Sequence, residues 1–293
     1  MAPALPTGSA IGVDIGGTNV RAARGDAAGG VRERRRLPTD TTTEPAGLVI
    51  ELCRELLDDV VAALGIGLPG RLDAERRTVL SSGYVELAGQ PLASIVAEAI
   101  GRPVVMENAA AMALIAELRT GAAAAAEDVV LLTAGTGIGG AVAIGGRLRH
   151  GRANAGQLGH LALERGGPRC NCGRTGCSEM SASGTALGHL IEAAGLPPDT
   201  TIESLLARRD EQDAAAVLDA WGGAWRAAID TVVAVLDPEL VLIGGGLGAS
   251  AVATLEATHP ATSPWFECPV LPARLGDDAG VIGAGLLALE PAR

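Results

Sequence analysis

Two copies of one local device, a short apolar strand, a glycine turn and a second strand, constrain this 293-residue chain more than any other feature. Ile11–Ile15 is apolar except for Asp14, turns at Gly16 and Gly17, and resumes over Val20–Ala23. Val129–Thr133 and Ala141–Ile144 bracket Gly135-Thr136-Gly137-Ile138-Gly139-Gly140 in the same way. Mixed α/β sequence follows each copy, which predicts a duplicated α/β architecture with a cleft between two lobes. The alanine run at 122–126 marks the junction. The expected domains are a small N-terminal lobe over 1–118 and a large lobe over 119–293, with the C-terminal end able to pack back on the first.

Other segments have simpler signatures. Leu48, Leu52, Leu56 and Val60 recur every four residues among helix formers, so an amphipathic helix is expected over about 45–63. Ile66–Leu68, ending at Pro69-Gly70, and Pro103–Met106 read as short buried strands. Both run into polar loops, where an α/β sheet presents its functional edge. Asn108 can cap a following helix whose Met112, Ile115 and Ala116 face the core. Val217–Leu236 reads as a long helix with Trp221, Trp225 and Val232 on one side, and Leu240–Ile243 as the last strand, stopping at Gly244-Gly245-Gly246.

Composition removes several function classes. The net charge of -11 opposes a polyanionic partner, because nucleic-acid binding needs clustered positive charge to release counterions. Aromatic residues make up 2%, too few for a base-stacking platform. No lysine occurs, so a phosphate-loop lysine is excluded and any phosphate site must use backbone and hydroxyl donors. No apolar stretch reaches membrane-spanning length, and MAPALPTGSA has no basic and apolar leader pattern, so a cytoplasmic protein without a membrane partner is expected.

Of five cysteines, three fall within eight residues, and a reducing compartment favours metal ligation over disulfides. His160, Cys170, Cys172 and Cys177 supply one imidazole and three thiolates, with Gly173 and Gly176 forming a tight knuckle. That set closes a tetrahedral Zn²⁺ site with no open position, the arrangement of a structural metal. Zinc would pin a loop carrying Gln157, His160 and Glu179 and so preorganise a polar pocket. Cys53 and Cys268 read as core. His150, His189 and His259 have no identifiable partner, and Arg34, Arg35 and Arg36 read as a solvated face.

The glycine turns suit phosphate. In Asp14-Ile15-Gly16-Gly17-Thr18-Asn19 the backbone can approach closely and aim N–H groups inward, Thr18 adds a hydroxyl, and Asp14 can hold hydrated Mg²⁺. Thr136 and Gly137 repeat the device. A dinucleotide fingerprint at GTGIGG would require a helix after the turn, and β-rich sequence follows instead. Gly244-Gly245-Gly246 can lie flat against an adenine or serve only as a strand-to-helix turn.

Taken together, DIGGTNVR, GLPG, the EN-x-A helix start, GTGIGG, GQLGH and CNCGRTGC-x-E resemble the ROK family of repressors, open reading frames and sugar kinases over nearly the whole chain. The resemblance implies the two-lobed actin-like ATPase fold of sugar kinases, a homodimer, and ATP and Mg²⁺ acting on a sugar or polyol. It assigns Gly70, Asn108, Gln157, His160 and Glu179 to sugar hydroxyls. Phosphates fall to Gly16, Gly17, Thr18 and Asn19 with Thr136 and Gly137, and adenosine to Gly245 and Gly246. The family's repressors carry an N-terminal helix-turn-helix, for which the residues before the first turn leave no room.

Two positions depart from the pattern. The family usually has Asn-Asp where this chain has Asn108-Ala109, so the carboxylate expected as general base is replaced by a methyl group. General-base catalysis contributes on the order of 10²- to 10⁴-fold, so very slow turnover is expected. The chain reads as an Asp-to-Ala variant at Ala109 of a kinase otherwise intact, with a naturally inactive sugar-binding pseudokinase or sensor as the alternative. A small-molecule carrier stabilised by zinc, without ATP affinity, is a third reading. Gln157 stands where the family commonly has glutamate, which alters the hydroxyl pattern read there and leaves glucose, an amino sugar, another hexose or a cyclitol open.

Overall fold

A computed structural model describes residues 8–39, 44–82, 87–261 and 263–290; residues 1–7 of the N-terminal segment discussed above lie outside the described residues. In chain order the elements are β1 Ser9–Ile15, β2 Asn19–Asp26, β3 Val31–Pro38, α1 Pro45–Leu56, β4 Val61–Leu68, β5 Arg71–Leu72, β6 Val79–Ser81, α2 Leu92–Ile100, β7 Val104–Asn108 and α3 Ala109–Thr120. They continue with β8 Val129–Ala134, β9 Ile138–Ile144, β10 Arg147–Leu148, α4 Glu179–Ala182, α5 Gly184–Ala193, α6 Ile202–Ala207, α7 Gln212–Leu236, β11 Leu240–Gly244, α8 Gly248–Thr258, β12 Val270–Pro272 and α9 Ala279–Ala288. The chain divides into two compact units. One holds the residues up to Ala124, His150–Ala155 and the chain from Asp277; the other holds Ala125–Arg149 and Gly156–Gly276.

In the first unit, one five-stranded sheet runs β3-β2-β1-β4-β7. β1 pairs antiparallel with β2 and parallel with β4, which pairs parallel with β7. Alternation along β1 sends Ile11, Val13 and Ile15 into a core with Val49, Leu52, Leu64 and Ile66. The opposite face receives α9, and glycine is required there: a Cβ on Gly12 would lie 1.9 Å from the Val281 carbonyl oxygen, and one on Gly65 1.9 Å from that of Ala284. The C-terminal helix therefore lies against the sheet backbone itself.

The second unit repeats the plan with the order β10-β9-β8-β11-β12. Its hairpin pairs β8 with β9 antiparallel, and β11 lies parallel to β8. Trp221 and Trp225 of α7 are fully buried edge to face, their rings 6.1 Å apart at 81°, and the Trp221 indole N–H donates to the Ala182 carbonyl at 2.9 Å.

Two expectations need correction. The helix expected over about 45–63 ends at Leu56, because Leu57 is already extended and Asp58 Oδ1 accepts the Val60 N–H, a local turn that competes with helix; Val60 is 60% exposed. Leu240–Ile243 is not the last strand, since β12 pairs parallel with β11 as a three-residue edge strand ending on proline. The Arg34–Arg36 run lies on the edge strand β3 and is partly paired: Arg34 reaches Asp278 at 2.6 Å and Arg35 reaches Glu55 at 2.7 Å.

Candidate active site

The first glycine turn is a two-residue hairpin loop. Gly16 N–H donates to the Asn19 carbonyl at 2.9 Å, leaving Gly17 and Thr18 exposed at the tip. Thr39 fixes its flank, donating its hydroxyl to the Gly16 carbonyl at 2.7 Å and its N–H to Thr18 at 2.9 Å. Asp14 points to the α9 face, where a Cβ on Gly280 would fall 2.8 Å from its carboxyl carbon. Burial there pushes the Asp14 carboxyl up from 3.8 to about 6, against the pull of Arg21 at 4.0 Å. Few groups repay the desolvation, so the position suits a carboxylate that meets a cation.

Asn108 ends β7 and begins α3. Its Oδ1 accepts the Ala110 and Ala111 N–H groups at 2.9 and 3.4 Å, the cap expected from sequence, and its Nδ2 donates to the Gly70 carbonyl at 2.8 Å. One side chain thus fixes the start of α3 and draws two sugar-assigned positions, Gly70 and Asn108, together. Ala109 follows directly, half-buried at the first turn of α3.

In the second unit, Gly135 N–H closes its turn on the Gly137 carbonyl at 3.1 Å, and the N-terminus of α5 sits on it through Gly184 N–H to Gly135 at 2.8 Å and the Thr185 hydroxyl to Thr136 at 2.9 Å. Gly245 is beside it: its φ is +79°, and a Cβ there would stand 2.4 Å from the Ala134 carbonyl oxygen. The turn of Thr136 and Gly137 and that of Gly245 and Gly246 are therefore neighbours.

Glu179 Oε2 accepts the Ile138 N–H at 3.0 Å, tying a sugar-assigned carboxylate to the same turn. Gln157 and His160 lie one on each side of Leu158–Gly159, where a Cβ on Gly159 would be 2.1 Å from the Ile138 carbonyl oxygen. The segment is held by buried Ser178, whose hydroxyl donates to the Leu158 carbonyl at 2.8 Å, and by Arg174 to the His160 carbonyl at 2.6 Å.

The ligand atoms of His160, Cys170, Cys172 and Cys177 all lie within 4.8 Å of one another. His160 Nδ1 is 3.6 Å from Cys170 Sγ, and Cys172 Sγ is 3.6 Å from Cys177 Sγ. A tetrahedral ion with Zn–S about 2.3 Å and Zn–N about 2.0–2.1 Å requires edges of about 3.8 and about 3.5 Å, so the four residues fit zinc. Burial pushes the Cys177 thiol up to about 12, while the Arg174 N–H draws Cys172 down. The remaining thiols divide: Cys53 is fully buried, as expected, and Cys268 is half-buried.

Partners exist where the sequence suggested none. His150 Nε2 lies 2.7 Å from Glu107 Oε2, and His259 lies between the Thr258 hydroxyl at 2.8 Å and Asp219 at 3.3 Å; His189 is exposed. Glu107 is 5% exposed, with its other oxygen accepting the Asn108 N–H at 2.8 Å and Arg76 Nε at 3.5 Å from Oε2. The available signal was a lone acid next to the last residue of a short strand.

The ROK family model matches residues 10–291 of this chain. The chain belongs to the ROK family. A glucokinase of Streptomyces coelicolor is 31% identical over 97% of this chain and 98% of its own. Among solved structures, a ROK hexokinase from Thermus thermophilus has a TM-score of 0.80 at 33% identity, covering 96% of this chain and 97% of its own. A ROK glucokinase from Streptomyces griseus, solved with glucose and AMPPNP, also has a TM-score of 0.80, at 31% identity over 96% and 99% of the two chains. The ROK assignment carries the α/β, actin-like ATPase fold class expected from the sequence. Among the described residues no helix is long and apolar enough to cross a membrane.

Proposed function

We propose that this ROK protein transfers the γ-phosphoryl group of ATP to a hydroxyl of a hexose or sugar-like polyol, at a site deprived of its carboxylate base. The observation that carries the reading is Asn108, which caps α3, holds Gly70 and sets the methyl group of Ala109 where the family's base is expected. The relatives named glucokinase and hexokinase support the reaction class.

In this reading Gly70, Asn108, Gln157, His160 and Glu179 hold the acceptor's hydroxyls. Gly16, Gly17, Thr18 and Asn19 with Thr136 and Gly137 hold phosphates, Gly245 and Gly246 lie against adenosine, and Asp14 meets Mg²⁺ through water. Zn²⁺ on His160, Cys170, Cys172 and Cys177 stiffens the loop that presents Gln157 and Glu179, and the working form is a cytoplasmic homodimer. Phosphoryl transfer rests on positioning and electrostatics, with one base accepting the hydroxyl proton. Without the carboxylate the chain binds its substrates and turns over slowly.

The test is Ala109→Asp, assayed with ATP across hexoses, amino sugars and cyclitols. A rise of at least about tenfold on one substrate is expected, well inside the usual general-base contribution. No rise on any acceptor removes the base assignment. Calorimetry of Gln157→Glu against glucose and a cyclitol reports specificity, and identical affinities in both proteins would remove that position from it.

A further inference from the structure

Beside the missing base lies a carboxylate–imidazole pair that no assigned role uses. Glu107 is in β7, two residues before Ala109, and its Oε1 accepts the N–H of the Asn108 that stands between them. The carboxylate of Glu107 is therefore held against the backbone that leads directly into position 109. It is almost completely buried, and each of its oxygens is engaged: Oε1 by the Asn108 N–H at 2.8 Å, Oε2 by His150 Nε2 at 2.7 Å with Arg76 Nε at 3.5 Å. Arg76 reaches it from a left-handed backbone at φ +54°, a conformation uncommon outside glycine.

His150 is oriented by this carboxylate and open at its other edge. A carboxylate accepts, so Nε2 donates to it, and in the neutral imidazole Nδ1 is then the nitrogen with the lone pair. Nδ1 makes no hydrogen bond among the described residues, and the side chain is 36% exposed. The segment His150–Ala155 belongs to the same compact unit as Glu107, Asn108 and Ala109. An imidazole fixed through one nitrogen by a buried acid and free at the other is the arrangement of an oriented general base.

We infer that the residual phosphoryl transfer of this chain uses His150 as its base, with Glu107 as the residue that positions it; the inference rests on the kinase reading above. The acceptor's O–H bond breaks and its proton passes to Nδ1. The oxygen forms a bond to the γ-phosphorus as the bridging P–O bond breaks, ADP leaves with that electron pair, and the imidazolium then releases its proton to water. Placed less directly than a carboxylate at position 109, the imidazole supplies part of the lost rate, so Ala109→Asp still accelerates the enzyme.

The experiment is a cycle of four proteins, the parent, His150→Asn, Ala109→Asp and the double variant, assayed for ADP release on the best acceptor, with thermal unfolding as a check on folding. In the parent, His150→Asn is expected to lower kcat at least about tenfold with KM changed less than about threefold. In the Ala109→Asp background the same substitution should cost at least tenfold less. Free imidazole should restore turnover to His150→Gly, which a merely structural latch would not permit. Equal losses in both backgrounds, no loss in the parent, no imidazole rescue, or an active Ala109→Asp beside a parent without turnover each overturn the role of His150. Absence of phosphorylation in all four proteins overturns the kinase reading itself.

Discussion

Replacing Asp14 by asparagine should stabilise the protein at neutral pH while weakening its hold on Mg²⁺ and nucleotide. Burial raises the Asp14 carboxyl from 3.8 to about 6, and the side chain is 18% exposed, so little solvent screening intervenes. A carboxyl whose folded value is raised destabilises the fold only when ionised. The penalty is absent below the unfolded value near 3.8, grows between 3.8 and about 6, and is complete above that. At about 1.36 kcal/mol per pH unit, it reaches as much as about 3 kcal/mol at pH 7.5. An amide of the same shape removes it, and at roughly 2–4 °C in Tm per kcal/mol a gain of up to about 6–12 °C is expected. Thermal unfolding of both proteins at pH 7.5 and pH 4, in magnesium-free buffer without a chelator that would strip zinc, reads the effect. The gain should appear at pH 7.5 and shrink toward zero at pH 4. A parent more stable than Asp14→Asn at pH 7.5, or a difference equal at both values, refutes the reasoning.

Cys177→Ser should abolish bound metal, read as zinc per chain by elemental analysis, and lower Tm by several degrees; a parent that purifies without zinc removes the metal assignment. Gly65→Ala forces a methyl group to within 1.9 Å of the Ala284 carbonyl oxygen in backbone that has no side chain to yield, and should cost at least about 2 kcal/mol in urea unfolding. Asn108→Ala should cost about 1 kcal/mol through the lost cap. Asn108→Asp keeps the cap acceptor, yet cannot donate to the Gly70 carbonyl, so its sugar affinity should fall with little loss of stability. An Asn108→Asp protein that binds sugar as tightly as the parent would show that the Gly70 contact is irrelevant to binding.

What could be read from the sequence was what is local. Both hairpins, the Asn108 cap and the cluster of His160 with Cys170, Cys172 and Cys177 are set by residues within 18 positions of one another, where glycine turns, alternating apolar residues and ligand spacing act directly on the backbone. The limits of α1 were misread because the four-residue rhythm continues past Leu56, while the Asp58 turn that ends it leaves no trace in that rhythm. Glu107 and His150 are 43 residues apart, so neither sequence window contains the other, and the left-handed backbone that brings Arg76 to them sits on an ordinary arginine. The helical glycines of α9 likewise have meaning only against residues far away in sequence, Gly283 against the Met112 carbonyl and Gly280 against the Asp14 carboxyl, some 170 and 270 positions earlier.

Position 109 gives the physical reason to separate binding from turnover in this chain. It lies in the first turn of α3, which has no acidic residue, and an aspartate there would interact favourably with the N-terminal end of the helix by about 0.3–1 kcal/mol. Helix stability thus does not explain the alanine. On the proposed kinase reading, the groups assigned to the acceptor keep their local supports within each unit: the cap and the tether to Gly70 in one, and Glu179 on the Ile138 N–H in the other. A site that keeps its positioning groups and lacks only the proton acceptor holds its substrate with nearly undiminished contacts, because uniform binding and transition-state chemistry draw on different atoms. Its rate is then set by whichever neighbouring group can receive the proton, and the buried Glu107, two residues before position 109, already holds an imidazole.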